Sequence, residues 1–343
     1  MVNLLYVRET YKNKNDERLI EPMAICPLQH EQHLTKGGGY LLKIVASLED
    51  LSHEQWMEYR KKGIGGSDVG AIVGLDKYRS AFSVYLEKIG AISLADEESE
   101  AAYWGRTLEE TVAAEFSKRS GLEVRTRNEL LQHDTYDFML ATLDREVICP
   151  NRGIGILECK TSSEYLKEEW TGNNIPDSYY VQVQHYLAVT NYSFAYIAVL
   201  IGGNKFLYKE IERDEEVIQY LYRLEADFWN NHVLRKIPPP VDYSGSTTDA
   251  LEDLYRESVK ERRELSDECM EWIGELEQIK KQMKKLALRK QELENRIKHF
   301  LGEKEIGTYD GVEMITWKPT RKGHRVLKMK KAEVAINGNA GIN

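Results

Sequence analysis

Glu158 and Lys160 flank Cys159 in the stretch Ile-Leu-Glu-Cys-Lys-Thr-Ser-Ser, residues 156–163, and thirteen residues separate Glu158 from Asp144. Alternate side chains along a β-strand share a face. Glu158 and Lys160 therefore point the same way, and Cys159 points into the sheet. Pro150-Asn151-Arg152-Gly153 supplies the turn of a hairpin that brings Asp144 beside them. Two carboxylates and a strand carbonyl form a hard oxygen site suited to Mg²⁺ or Mn²⁺. An ammonium next to that site can orient or help deprotonate an attacking water, or stabilise charge on a phosphorane-like transition state. A purely structural ion pair on an edge strand is the other reading. The apolar flanks argue for burial, and a buried charge cluster with no ligand is costly.

The surrounding pattern supplies elements to hold such a site. Leu51–Lys62 opens with a Ser52–Gln55 capping-box pattern and reads as a helix. Gly63–Asp68 is a tight turn, after which Ser67 or Asp68 can cap a short helix. Ser80–Gly90 and Glu100–Gly121 read as helices closed by glycine. Strand signals run over Glu123–His133 and Asp137–Cys149, followed by the strand of Glu158. Ser178–Thr190 reads as a helix despite its valines. Phe194–Gly203 and Lys205–Arg213 form a second hairpin, and the helix over Asp214–Lys236 is stopped by Pro238–Pro240. Helices, a mixed sheet and further helices predict an α/β or α+β core.

Beyond the prolines the chain is long, charged and proline-free until after residue 303. Trp272, Leu276, Ile279, Met283, Leu286, Lys290, Leu293, Ile297 and Phe300 alternate spacings of four and three, a heptad seam with one charged interruption. It fits a coiled-coil arm against a partner or sister subunit, and equally a helical hairpin folded on its own domain. The last segment predicts a small hairpin and a basic tail, either a solvated end or a DNA contact.

Bulk properties narrow the class. The 343 residues carry a formal net charge of -9, with 42% hydrophobic and 30% charged residues. Such a balance affords a sizeable core and excludes a protein coated in basic groups, but not a local basic groove. Cys26, Cys149, Cys159 and Cys269 are scattered, as in a reduced intracellular protein. Cys26, His30 and His33 lie close together without a second ligand cluster and read as a plain surface segment. No apolar run spans a bilayer and no leader is visible, so a cytoplasmic protein without membrane partners is expected.

Taken with its flanks, Asp144…Glu158-Cys159-Lys160 resembles the PD-(D/E)xK nuclease motif. Trp104–Phe116 resembles the helix that provides an upstream metal-site glutamate, here Glu109. Tyr179–Val189 resembles the QxxxY helix, with Gln182 and Tyr186. Tyr59–Gly74 resembles the arginine-plus-serine entry motif of lambda-type exonucleases and the YqaJ-type viral recombinase family. Order and spacing agree over residues 50–235. Departures are Leu143, where proline often precedes the aspartate, and Arg145, where glycine is common.

The resemblance implies a restriction-endonuclease-like mixed sheet flanked by helices, with a nuclease core over 46–240. A loosely ordered extension over 1–45 would precede it, a helical or coiled-coil arm over 241–303 would follow, and a small hairpin with a basic tail over 304–343 would end the chain. It implies that Asp144, Glu158 and the Cys159 carbonyl bind metal and that Glu109 completes a second position, for two Mg²⁺ or Mn²⁺ ions. Lys160 would act on the water, Gln182 would position the water or the lysine, and Tyr179 and Tyr186 would support the site. Arg60 and Ser67 would grip a 5′-terminal phosphate. The implied activity is a 5′→3′ exonuclease on double-stranded DNA ends in a phage or prophage setting, inside the bacterial host. It would leave 3′ overhangs for a single-strand annealing protein, and lambda-type relatives form trimeric rings. A structure-specific or restriction-like endonuclease on the same core stays open, as does a non-enzymatic DNA-binding or assembly protein. Taken singly, Glu109 also fits an ordinary exposed helix glutamate and Gln182 a plain helix-surface glutamine. Gly63–Asp68 also fits a bare turn; no GKS or GKT follows to make it a nucleotide loop. An iron–sulfur cluster is excluded, because only Cys269 lies near the C-terminus.

Overall fold

A computed structural model describes residues 42–92 and 99–330. They fall into two compact units, one ending at Ser258 and the other starting at Val259. Cys26, His30 and His33, with most of the N-terminal extension and the end of the basic tail, lie outside the described residues.

The first unit is built on a five-stranded mixed sheet. Its strands are β2 (Glu123–Arg125), β5 (Arg145–Cys149), β6 (Gly153–Ser162), β7 (Phe194–Ile201) and β8 (Lys205–Glu212), in the order β2-β5-β6-β7-β8. β6 pairs antiparallel with β5 and parallel with β7. It is therefore a central strand, not the edge strand that the structural ion-pair reading needs. A second sheet joins β1 (Lys43–Ser47), β3 (Glu129–Gln132) and β4 (Leu140–Ala141). β1 has no counterpart in the sequence reading, which ran a loose extension through residue 45.

The helices are α1 (His53–Lys61), α2 (Gly66–Ile72), α3 (Ala81–Lys88), α4 (Glu100–Ser120), α5 (Asp177–Thr190), α6 (Glu215–Asp227) and α7 (Gly245–Leu254). Strand β7 shows how the layers close. Ala195, Ile197, Val199 and Ile201 enter the larger apolar core, on the α5 side. Tyr196, Ala198 and Leu200 enter the smaller core with Val112 and Phe116 of α4. A strand apolar on both faces is what burial between two helical layers demands. The parallel β6–β7 step needs a long crossover, and α5 is part of it.

α5 is fixed by a buried charge pair. His185 Nδ1 is 3.0 Å from a Glu225 carboxylate oxygen of α6, and its Nε2 is 2.9 Å from the Leu140 carbonyl of β4. Both ring nitrogens meet acceptors, so the geometry calls for the imidazolium. Burial alone would lower the His185 pKa; Glu225 and the carbonyl overcome it and hold it above its ordinary value.

α2 starts two to three residues earlier than its cap signals suggest. Gly65 is the N-cap, and Asp68 reaches back to accept from the Gly65 N–H at 3.0 Å, so neither Ser67 nor Asp68 is the cap. α7 packs on the first unit through buried Ala250, although its sequence continues into the charged arm. The proline-free segment is interrupted between Tyr255 and Ser266, after which α8 (Asp267–Leu301) runs for 35 residues. In the second unit a three-stranded sheet follows, β9 (Ile306–Tyr309), β10 (Val312–Pro319) and β11 (Arg325–Met329), in the order β11-β10-β9. No helix among the described residues is long and apolar enough to cross a membrane.

Glu225→Ala strands the His185 charge inside the core. Urea unfolding at pH 6 will show a loss of about 3–5 kcal/mol. Because the folded His185 pKa is raised, the pair's contribution is complete below about pH 6.5 and fades as pH rises through the folded value.

Candidate active site

The site forms where β5 stops pairing. The β5–β6 ladder runs to Arg145 opposite Leu157 and no further, whereas β7 follows β6 on to Ser162. Past Leu157, one edge of β6 is left to other partners. Asp144, the residue before β5, fills the gap: its Oδ2 accepts from the Cys159 N–H at 2.7 Å. A strand residue's carbonyl leaves from the same edge as its N–H, so the Cys159 carbonyl is directed to the Asp144 side. The Cys159 side chain packs with the smaller core under α4, and burial pushes its thiol pKa far up.

Glu158 and Lys160 project to the opposite face, under α5. Lys160 Nζ is 2.6 Å from Glu158 Oε1. The Gln182 amide joins the two: it donates to Glu158 Oε1 at 2.7 Å and accepts from Lys160 at 3.2 Å. It also donates to the Tyr186 hydroxyl at 3.1 Å. The Lys160 ammonium lies 4.7 Å from the centre of the Tyr179 ring, which stacks on Trp170.

Burial and the Glu158 charge push the Asp144 carboxyl up to about 7. Lys160 moves the other way from what burial dictates. Burial lowers its pKa, but the charges of Glu158 and Asp144 lift it above the ordinary lysine value, so it stays an ammonium. Burial and the same carboxylates raise Tyr186 well above a normal phenol.

Glu109 comes from α4, on the other side of the sheet. Its carboxylate takes Arg145 Nη1 at 2.6 Å, while Nη2 binds Glu110 at 2.6 Å. Arg145 also donates to the Asp144 carbonyl. Burial and Asp144 raise the Glu109 pKa. Arg145, noted in the sequence only as a departure from glycine, thus links Glu109 to the Asp144 backbone.

Oxygen donors at this edge suit a divalent ion. Glu158 Oε2 is buried and has no hydrogen-bond partner, a costly state for a carboxylate unless a cation occupies its lone pairs. Among the described residues no three Asp, Glu, His or Cys side chains converge on one point. The donor set that fits is therefore Asp144, Glu158 and the Cys159 carbonyl, with Glu109 engaged by Arg145.

Arg60 and Ser67 lie on the adjoining α1–α2 segment. Asp68, fully buried, is ringed by Lys88 Nζ at 2.6 Å, Arg79 Nη1 at 2.9 Å and Arg60 Nη2 at 3.5 Å. Burial raises its pKa but the three cations outweigh that and hold it far below the usual range. Arg79 also pairs with Glu87 at 2.5 Å and donates to the Ser67 carbonyl at 3.2 Å. Three cations thus face two carboxylates, and Arg60 keeps 29% of its side chain exposed. Sequence reasoning missed Arg79, Lys88 and Asp68 as one cluster, because their contacts span three helices.

This segment touches the carboxylate centre through Gly66. A Cβ there would come within 2.3 Å of the Tyr186 ring, and one on Gly70 within 3.2 Å of Ser178. The i, i+4 glycine spacing was the available signal for this close helix crossing.

The fold and this cluster define a mixed-sheet α/β protein with a buried carboxylate–lysine centre at the end of a central strand. The chain belongs to the YqaJ family: residues 55–193 match the YqaJ-like viral recombinase domain. It is 42% identical over 280 residues to the protein YqaJ of Bacillus subtilis (strain 168), covering 81% of this chain and 86% of that one. Among solved structures, an alkaline exonuclease from Laribacter hongkongensis is 19% identical with a TM-score of 0.45, over 54% of this chain and 94% of its own. A phage-related exonuclease from Haemophilus somnus 129PT is 14% identical with a TM-score of 0.37, over 53% and 99%. Likeness at that distance carries no functional weight.

The raised Asp144 pKa has a sign. In metal-free protein the folded state holds a proton that the unfolded chain releases, so this group makes stability fall as pH rises from about 4 to about 7. Asp144→Asn will flatten that slope, measured by thermal unfolding in chelator across the interval, and will be more stable than wild type at pH 8.

Proposed function

We propose that this protein is a metal-dependent deoxyribonuclease, and specifically a 5′→3′ exonuclease acting on double-stranded DNA ends. The observation that carries the reading is the junction of Asp144, the Cys159 backbone and Glu158 at one strand edge, with Glu158 Oε2 lacking a partner and Lys160 beside it. Asp144, Glu158 and the Cys159 carbonyl would hold a divalent ion, Mg²⁺ or Mn²⁺, which when bound lowers the pKa of water and offsets phosphate charge. Glu109 would join a second ion only by leaving Arg145.

The chain's own groups then divide the work. Lys160 remains charged, which makes it an electrostatic partner of the phosphoryl oxygens and of the attacking water rather than a proton acceptor. Gln182 fixes Lys160 and Glu158 relative to each other, Tyr186 anchors Gln182, and the Tyr179 ring supports the ammonium. Water attacks phosphorus, the P–O3′ bond breaks, and a 5′-phosphorylated product leaves as the 3′ oxygen takes up a proton.

End dependence rests on Arg60 and Ser67. The excess positive charge of the Asp68 cluster beside the carboxylate centre suits a terminal phosphate, which carries more charge than an internal one. The 3′ overhangs produced would feed a single-strand annealing partner inside the host cell, and a ring of copies would make digestion processive.

Linear duplex with a 5′-phosphate and Mg²⁺ will be degraded, closed circular duplex will not, and a 5′-hydroxyl end will be slower. Lys160→Ala will lower turnover by about 100-fold or more, with folding checked by circular dichroism. Cutting of closed circles would replace the reading with an endonuclease, and full activity in Lys160→Ala would remove the assigned chemistry.

A further inference from the structure

Helix α8 carries an apolar stripe that its own unit leaves bare. Trp272, Leu276, Ile279, Met283, Leu286 and Leu293 are between 42% and 69% exposed. With Lys290 between Leu286 and Leu293, they recur at alternating spacings of four and three, the period of a two-stranded seam. The C-terminal end of the helix is different: buried Leu301 meets Gly307 and packs on the small sheet, and Ile297 is half-buried. The sheet covers Leu301 and half-covers Ile297, while Phe300, the last seam residue, is 91% exposed. The seam from Trp272 to Leu293 is left for another surface.

We infer that this surface is a second copy of the same chain, paired along α8 as a parallel, in-register, two-stranded coiled coil. Charges beside the seam select this occupant. Taking Leu276 as position a, Glu275 and Arg289 fall at g, and Lys280 and Glu294 at e of the following heptads. In a parallel pair each g residue meets the e residue five positions on in its partner. That places Glu275 against Lys280 and Arg289 against Glu294 of the second copy, opposite in sign both times. Glu275 and Lys280 have no ion-pair partner among the described residues. Arg289 and Glu294 hold only local ones: Glu292 at 2.7 Å for Arg289, and Lys290 at 2.7 Å and Lys298 at 3.9 Å for Glu294.

Lys290 stands at an a position, where a single charged residue sets register and favours two strands over more at some cost in stability. Its bond to Glu294 screens the ammonium at the seam. Trp272–Leu293 spans three heptads, about 32 Å of helix at 1.5 Å per residue, long enough for a specific pair. The inference is independent of the nuclease reading, since it uses no residue of the first unit.

Sedimentation and light scattering on the full chain test it. Leu276→Lys with Leu286→Lys places charge in the seam at exposed positions, so each chain stays folded by circular dichroism, and the solution mass is expected to fall twofold. A mass the double variant leaves unchanged, whether that of a monomer or of an assembly held elsewhere, overturns the inference. Lys280→Glu is expected to weaken association about tenfold, from the loss of attraction and the gain of repulsion at g–e′ contacts. Adding Glu275→Lys is expected to restore it; no restoration overturns the parallel pairing.

Discussion

The site exists because a ladder ends early. Strand β5 leaves β6 at Leu157, and the next backbone N–H on that edge, that of Cys159, is taken by a side chain rather than a strand. A buried backbone donor without a partner is costly, so the Asp144 carboxylate is held in place by the backbone's own need. The same substitution of side chain for strand exposes a carbonyl edge beside it. Everything else in the centre is arranged around that gap: Glu158 on the face below α5, Lys160 one pleat further, and Gln182 bridging them.

Charge balance explains the rest of the arrangement. Burial, and two carboxylates beside one ammonium, raise the Asp144 pKa, and one Glu158 oxygen is left without a hydrogen-bond partner. A few residues away the balance is reversed, with Asp68 and Glu87 facing Arg60, Arg79 and Lys88. A cation-deficient cluster thus adjoins an anion-deficient one. On the far side of the sheet Arg145 satisfies Glu109 and Glu110 together, so the glutamate expected upstream is stabilised by protein charge.

Much of this was legible in the sequence, for identifiable reasons. Period-two alternation and the Pro150–Gly153 turn fixed the β5–β6 hairpin, and with it the proximity of Asp144 to Glu158. The Ser52–Gln55 pattern and Gly121 marked helix ends that the structure keeps. What was not legible came from contacts distant along the chain. The short β1 pairs with a strand more than eighty residues later, and nothing local distinguishes it from loop. The start of α2 was misplaced because Ser67 and Asp68 are good capping types, while Asp68 is instead committed to three cations and to Gly65. The break between α7 and α8 carries neither proline nor glycine; its far end is marked by Ser266, whose side chain caps α8 by accepting from the Cys269 N–H.

Gly66 binds the histories of two segments together. With a Cβ barred by the Tyr186 ring, the helix that carries Ser67 and the helix that carries Gln182 must fit each other at atomic contact. A chimera that imports one of these segments from a relative inherits half of a matched joint. Recombination between relatives at any point from Ser67 to Gln184 divides that joint, whereas exchanges beyond Ser258 leave it whole.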